Sequence, residues 1–138
     1  MGKKFLHMKQ KIYSEQAPRP SGNYSQAIQI DNLVFISGQL PLKEGYLVSE
    51  ENPKDACRQC LINISYICKA AGGTIKDVVK LNVYYTNQAF SLALDEVIPE
   101  FFDQPYPARI RLGVALISKN ASIEVDAIMY KKNENKNE

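Results

Sequence analysis

Between Pro53 and Gly73 the chain carries one helical stripe, and that stripe constrains the fold more than any other feature. Cys57, Cys60, Leu61, Ile64, Cys68 and Ala71 recur at spacings of three and four, which is one face of a helix. Pro53 suits a first helical turn, and Gly72-Gly73 closes the segment as glycines close helices. A helix that is apolar on one side only must lie against a second layer. The residues that follow supply it. From Val78 to Thr86, Val79, Leu81, Val83 and Tyr85 alternate with Lys80, Asn82 and Tyr84, the pattern of a strand with two distinct faces. Gln26–Ile30 and Leu33–Ser37 read as two strands around a tight turn at Asp31-Asn32. Arg109–Ile117 and Ile123–Tyr130 read as two more, and the short Ser118–Ser122 link predicts that they pair as a hairpin. Phe90, Leu94, Val97, Ile98, Phe101 and Phe102 mark a second amphipathic helix, in which Pro99 predicts a kink or a late start. The expected class is α+β, one mixed sheet with two helices packed on one face.

With 138 residues and 45% hydrophobic content, one domain over residues 12–131 is expected, with a loose basic arm at 1–11 and a disordered tail at 132–138. Pro18, Pro20, Ser21 and Gly22 form an irregular leading loop, and Gly38–Pro53 reads as a loop rich in Gly, Pro and charge. Seventeen basic against fifteen acidic residues leave a formal charge of +2, too balanced to point to a nucleic-acid partner. No stretch approaches the roughly 18 apolar residues of a membrane helix. Lys3, Lys4, Lys9 and Lys11 precede the first acid, Glu15, yet no Arg appears before Arg19, so a cytoplasmic location is expected over a mitochondrial one.

Cys57 and Cys60 match C-x-x-C, a spacing shared by redox pairs and half metal sites. Their helical register with Cys68 favours a buried face instead. His7, the only histidine, sits near the N-terminus, so no metal centre and no His-based triad is expected in the interior.

Three segments place polar groups where strand pattern alone asks for none. Ser37-Gly38-Gln39-Leu40-Pro41 ends an apolar strand with a hydroxyl and a residue that permits close backbone approach. Arg109 and Arg111 share one face of a strand, and Glu124 and Asp126 share one face of the next. A guanidinium binds a carboxylate bidentately, a contact worth roughly 1.5–3 kcal/mol. If the last two strands pair, a purely structural cross-strand ion cluster accounts for all four charges, and spacing alone favours that reading.

Taken together, Gly22-Asn23-Tyr24-Ser25-Gln26-Ala27, Ser37-Gly38-Gln39-Leu40-Pro41, Pro107-Ala108-Arg109 and Ile123-Glu124-Val125-Asp126-Ala127-Ile128 resemble the signatures of the Rid (reactive intermediate deaminase, YjgF-like) family. Ala70-Ala71-Gly72-Gly73 and Asp77-Val78-Val79-Lys80 also fit, and the resemblance covers residues 12–131. It implies a chorismate-mutase-like α+β fold, a homotrimer with sites in clefts between subunits, and cofactor-free, metal-free hydrolysis of enamines and 2-imino acids to keto acids and ammonia. By position it implies that Arg109 grips the substrate carboxylate and that Glu124 orients and deprotonates the attacking water. Tyr24, Ser37 and Gly38 would line the same pocket. Arg111 stands where a Cys is common in the best-known branch, Asn23 stands where Pro is usual, and a pocket-side Asn of the family is replaced near Asp95. An extra arginine in the cleft implies either pairing with Asp126 or a preference for substrates with a second acidic group. A ribonuclease or translation inhibitor and a non-catalytic, ligand-binding trimer are the competing readings.

Overall fold

The computed structural model describes residues 7–48 and 50–132. The long helix α1 spans Pro53–Ala70, and the Asn52 side chain caps it by accepting from the Asp55 amide. Gly72, at φ +93°, turns the chain out of the helix in the left-handed conformation that glycine tolerates. The stripe is buried along its whole length: Ala56, Cys57, Cys60, Leu61, Ile64, Ile67 and Cys68 all face the core. Each large member of that set is worth roughly 1.5–3 kcal/mol of apolar burial. The three cysteines are part of this packing. Burial pushes the Cys57 and Cys68 thiols up to about 12 and Cys60 well above its usual range, which keeps them protonated and unreactive.

Among the described residues eight strands accompany the helix: β1 (Gln10–Ile12), β2 (Ala27–Ile30), β3 (Leu33–Gln39), β4 (Leu42–Lys43), β5 (Tyr46–Leu47), β6 (Val78–Tyr85), β7 (Ala108–Gly113) and β8 (Ile123–Tyr130). Six form one sheet in the order β1-β2-β3-β8-β6-β7, and β4 and β5 make a separate two-stranded ribbon. A second helix, α2 (Gln88–Phe101), follows β6 with Pro99 in its last turn. Both helices lie on one face, over a core that includes Val34, Leu81, Val83, Ile123, Val125 and Met129. This is the expected α+β layering.

Four expectations need correction. The hairpin of the last two strands does not form: β8 pairs with β3 and β6, whereas β7 pairs in parallel with β6 at the sheet edge. Ile123, Val125, Ala127 and Met129 on β8 are all fully or almost fully buried beneath the helices. The same face of β7 carries Arg109 and Arg111, whose burial in the central slot would strip two charges of water. The apolar strand therefore takes the centre and the arginine strand the edge. The α2 crossover joins β6 to its parallel neighbour, as parallel pairing requires.

The other three are local. A register shift between Val78 and Lys80 turns Val79 outward, away from the buried row of Leu81 and Val83. The Gly38–Pro53 segment is not all loop, since β3 runs to Gln39 and the β4–β5 ribbon lies inside it. The basic arm loses residues 10 and 11 to β1, which pairs with β2. Residues 1–6 and the tail from 133 onward lie outside the described residues.

Candidate active site

The register between β3 and β8 breaks between Ile36 and Gln39, so Ser37 and Gly38 leave the regular ladder. Bulges of this kind re-aim side chains at sites. Here the break lets Glu124, on β8, press against the backbone of residue 38. A Cβ built on Gly38 would lie 2.6 Å from Glu124 Oε2 and 2.9 Å from its Cδ, so this approach needs glycine. Beside them the Ser37 hydroxyl donates to the Ser25 carbonyl at 2.6 Å. Tyr24 stands at the rim, its hydroxyl accepting from the Ser21 amide at 3.2 Å. Tyr24, Ser37, Gly38 and Glu124 line one cavity of about 410 Å³. Four of the residues singled out in the sequence are thus brought together.

Glu124 is half-buried, and that burial, followed by the nearby Asp126 charge, raises its carboxyl above the ordinary range. Asp126 itself is occupied: Asn82 Nδ2 donates to one of its oxygens at 2.7 Å and the Tyr84 hydroxyl to the other at 3.1 Å. Burial and the Asp126 charge in turn raise the Tyr84 phenol. Glu124 is left as the carboxylate placed to accept a proton.

Arg109 and Arg111 lie elsewhere. Because β6 separates β7 from β8, neither arginine faces Glu124 or Asp126 within one chain. Arg109 pairs across the sheet with buried Leu81, so it belongs to the helix-covered face, whereas Glu124 pairs with Tyr84 on the open face. Arg109 Nη1 donates to Asp95 Oδ1 on α2 at 2.7 Å, which holds the Asp95 carboxyl below its usual range. Arg111 Nη1 reaches the Ser91 hydroxyl at 3.3 Å and the Ser91 carbonyl at 3.4 Å. The cross-strand ion cluster expected from spacing is therefore absent.

Two glutamines stand in the quoted motifs without a role drawn from the sequence. Gln26, nearly fully buried, accepts from the Ser14 amide at 2.7 Å and donates to the Ser14 and Pro18 carbonyls at 2.9 and 3.0 Å. It ties the leading loop to the cavity. Gln39 also lines the cavity; its Nε2 donates to the Ser37 carbonyl at 3.1 Å, and its buried Oε1 meets no donor among the described residues. A polar side chain at a position of apolar strand pattern was the available signal for both.

A family model described as Endoribonuclease L-PSP matches residues 14–131. A RutC family protein of Pyrococcus horikoshii is 42% identical over 127 residues, covering 91% of this chain and 100% of that protein. A protein of Dermatophagoides farinae named 2-iminobutanoate/2-iminopropanoate deaminase is 37% identical, over 86% of this chain and 93% of its own length. Among solved structures, RidA from the Antarctic bacterium Psychrobacter sp. superposes with a TM-score of 0.82 at 40% identity, covering 88% of this chain and 98% of that one.

Proposed function

This chain belongs to the Rid family, and from that membership we propose that it hydrolyses reactive 2-imino acids, and the enamines that tautomerise to them, to 2-keto acids and ammonia. The observation that carries the reading is Glu124, a half-buried carboxylate of raised proton affinity held against Gly38 in the wall of a small cavity.

The chemistry asks for little more. Water attacks C2 of the imine as Glu124 takes its proton, and the C=N pair moves onto nitrogen. Glu124 then returns that proton to the amine. As the C–N bond of the carbinolamine breaks, Glu124 carries its hydroxyl proton to the departing nitrogen, which leaves as ammonia while the carbonyl forms. Imino acid and water become keto acid and ammonia, with every proton accounted for. General-base help of this kind is worth roughly 10²–10⁴ in rate.

The substrate carboxylate needs an anchor, and Arg109 has the chemistry for it. Since Arg109 and Glu124 lie on opposite faces of one sheet, we propose that the anchor comes from a second copy in a homotrimer. The open sheet face supports association: Leu33, Phe35, Ile110, Leu112 and Tyr130 are each about 40–50% exposed there, which is an apolar surface in want of cover.

The test is a trapping assay. An amino-acid oxidase generates 2-iminopropionate in situ, and semicarbazide captures the imine. The expected result is that this protein suppresses trapping in proportion to its concentration. Trapping rates unaffected by the protein would sink the reading.

A further inference from the structure

The cavity that holds Glu124 is lined by two cations, Arg19 and Lys119, which also line the adjoining groove. Neither makes an ion pair among the described residues, although other exposed cations such as Lys54, Arg58 and Lys76 do. The acids of the adjoining groove, Glu15 and Glu44, leave both unpaired as well.

Both cations stand on constrained backbone. Arg19 lies between Pro18 and Pro20, whose rings restrict the chain on either side. The carbonyls of Ala17 and Pro18 accept from buried Gln26 Nε2, which pins the loop to the core. Lys119 occupies a left-handed conformation, φ 58° and ψ 21°, and Asn120 follows at φ 58°. Two consecutive residues there are uncommon outside glycine, and such conformations collect at functional sites. The tight turn is closed by hydrogen bonds from the Asn120 and Ala121 amides to the Ile117 and Ser118 carbonyls, both 3.1 Å. Cations presented on fixed backbone lose less freedom when an anion arrives.

With Arg109 assigned to the carboxylate beside the reacting carbon, Arg19 and Lys119 are surplus to a monocarboxylate. We propose that they bind a second anionic group at the far end of the substrate, and that this site prefers 2-imino dicarboxylates over small neutral-chain imino acids. The cavity, about 410 Å³, has room for the longer chain. The inference rests on the deaminase reading for turnover, though the anion preference is a property of the cavity itself.

The experiment compares 2-iminoglutarate, made in situ by a glutamate oxidase, with 2-iminopropionate, in the intact protein and in Arg19→Ala and Lys119→Ala. The expected wild-type kcat/KM is higher for 2-iminoglutarate. Each substitution should lower the ratio of the two kcat/KM values about tenfold, chiefly through KM. A ratio at or below one in the wild type, or one that neither substitution moves, overturns the proposal. Calorimetric titration with the keto acids 2-oxoglutarate and pyruvate reads the same preference without turnover. If the wild type hydrolyses neither imine, the deaminase reading falls. Tighter 2-oxoglutarate binding that is lost in both variants then still upholds the dianion site, and equal binding of the two keto acids overturns it.

Discussion

Glu124 is the residue at which stability and chemistry oppose each other. Its folded pKa lies above its unfolded value because burial, and then Asp126, disfavour the anion. The stability it contributes is therefore full below the ordinary glutamate range and is lost as pH rises through the raised folded value. Glu124→Gln removes the buried charge, so at pH 7–8 its thermal midpoint should equal or exceed that of the wild type. The gap should close as pH falls below the ordinary carboxylate range, about 4.3. Activity should fall by roughly 10²–10⁴ in the same variant. In the wild type kcat/KM should rise with pH on a limb whose apparent pKa exceeds that of a free glutamate. A midpoint lowered at every pH, with activity kept, would remove Glu124 from its role. Gly38 gives the complementary test. A methyl group at 2.6 Å from Oε2 must move the carboxylate, the far end of a flexible side chain, more than it disturbs the backbone. Gly38→Ala should thus cost about 1–3 kcal/mol at most, yet lose about 10² in kcat/KM through misplacement. Denaturation and kinetics on one sample separate the two effects.

Among the elements, β7 decides what was legible in the sequence and what was not. Helix α1 and the β2–β3 hairpin follow from local pattern, because period and turn chemistry are written in consecutive residues. Strand order is not local. Ile123, Val125, Ala127 and Met129 compete with the arginine strand for the centre of the sheet, and the outcome depends on which face the helices cover. The inward turn that Val79 fails to make has a similar cause, since one register shift reverses a strand's faces without any mark in its composition. At the site, Tyr24, Ser37, Gly38 and Glu124 came from family resemblance, and spacing alone pointed to an ion cluster that the strand order forbids. Gln26 and Gln39 stand in those motifs, but their roles are not legible there, because a buried glutamine shows its use only through its partners. The edge position of β7 has a consequence for Arg109. Its pair with Asp95, whose side chain is 57% exposed, is solvent-screened. Arg109→Ala should change stability by less than about 1 kcal/mol while nearly abolishing turnover of carboxylated imines. Near-native kinetics in that folded variant would remove the anchor assignment.

At the scale of the whole molecule, the proposed pairing of Arg109 with Glu124 makes one copy half a site. Arg109 sits on the helix-covered side of the edge strand and Glu124 on the open side, with β6 between their strands. No rotamer change carries a guanidinium through a hydrogen-bonded sheet, so a cleft containing both must be built from two chains. A closed ring of identical copies satisfies this without leaving an unmatched half, because every copy gives its arginine to one neighbour and receives another's. Two dead proteins should then make a live one. Arg109→Ala keeps an intact Glu124 half, and Glu124→Gln keeps an intact Arg109 half. When the two are co-expressed and assemble at random in equal amounts, about a quarter of the clefts should pair the two intact halves, restoring about a quarter of wild-type activity. Mixing the purified variants under conditions that prevent subunit exchange should restore nothing, which controls for trace wild-type protein. The double variant, Arg109→Ala with Glu124→Gln in one chain, co-expressed with wild type at equal amounts should also leave about a quarter of the clefts intact. Activity that stays near zero in the co-expressed pair, while light scattering reports mixed oligomers, would place both groups within a single chain's site and end the shared-cleft account.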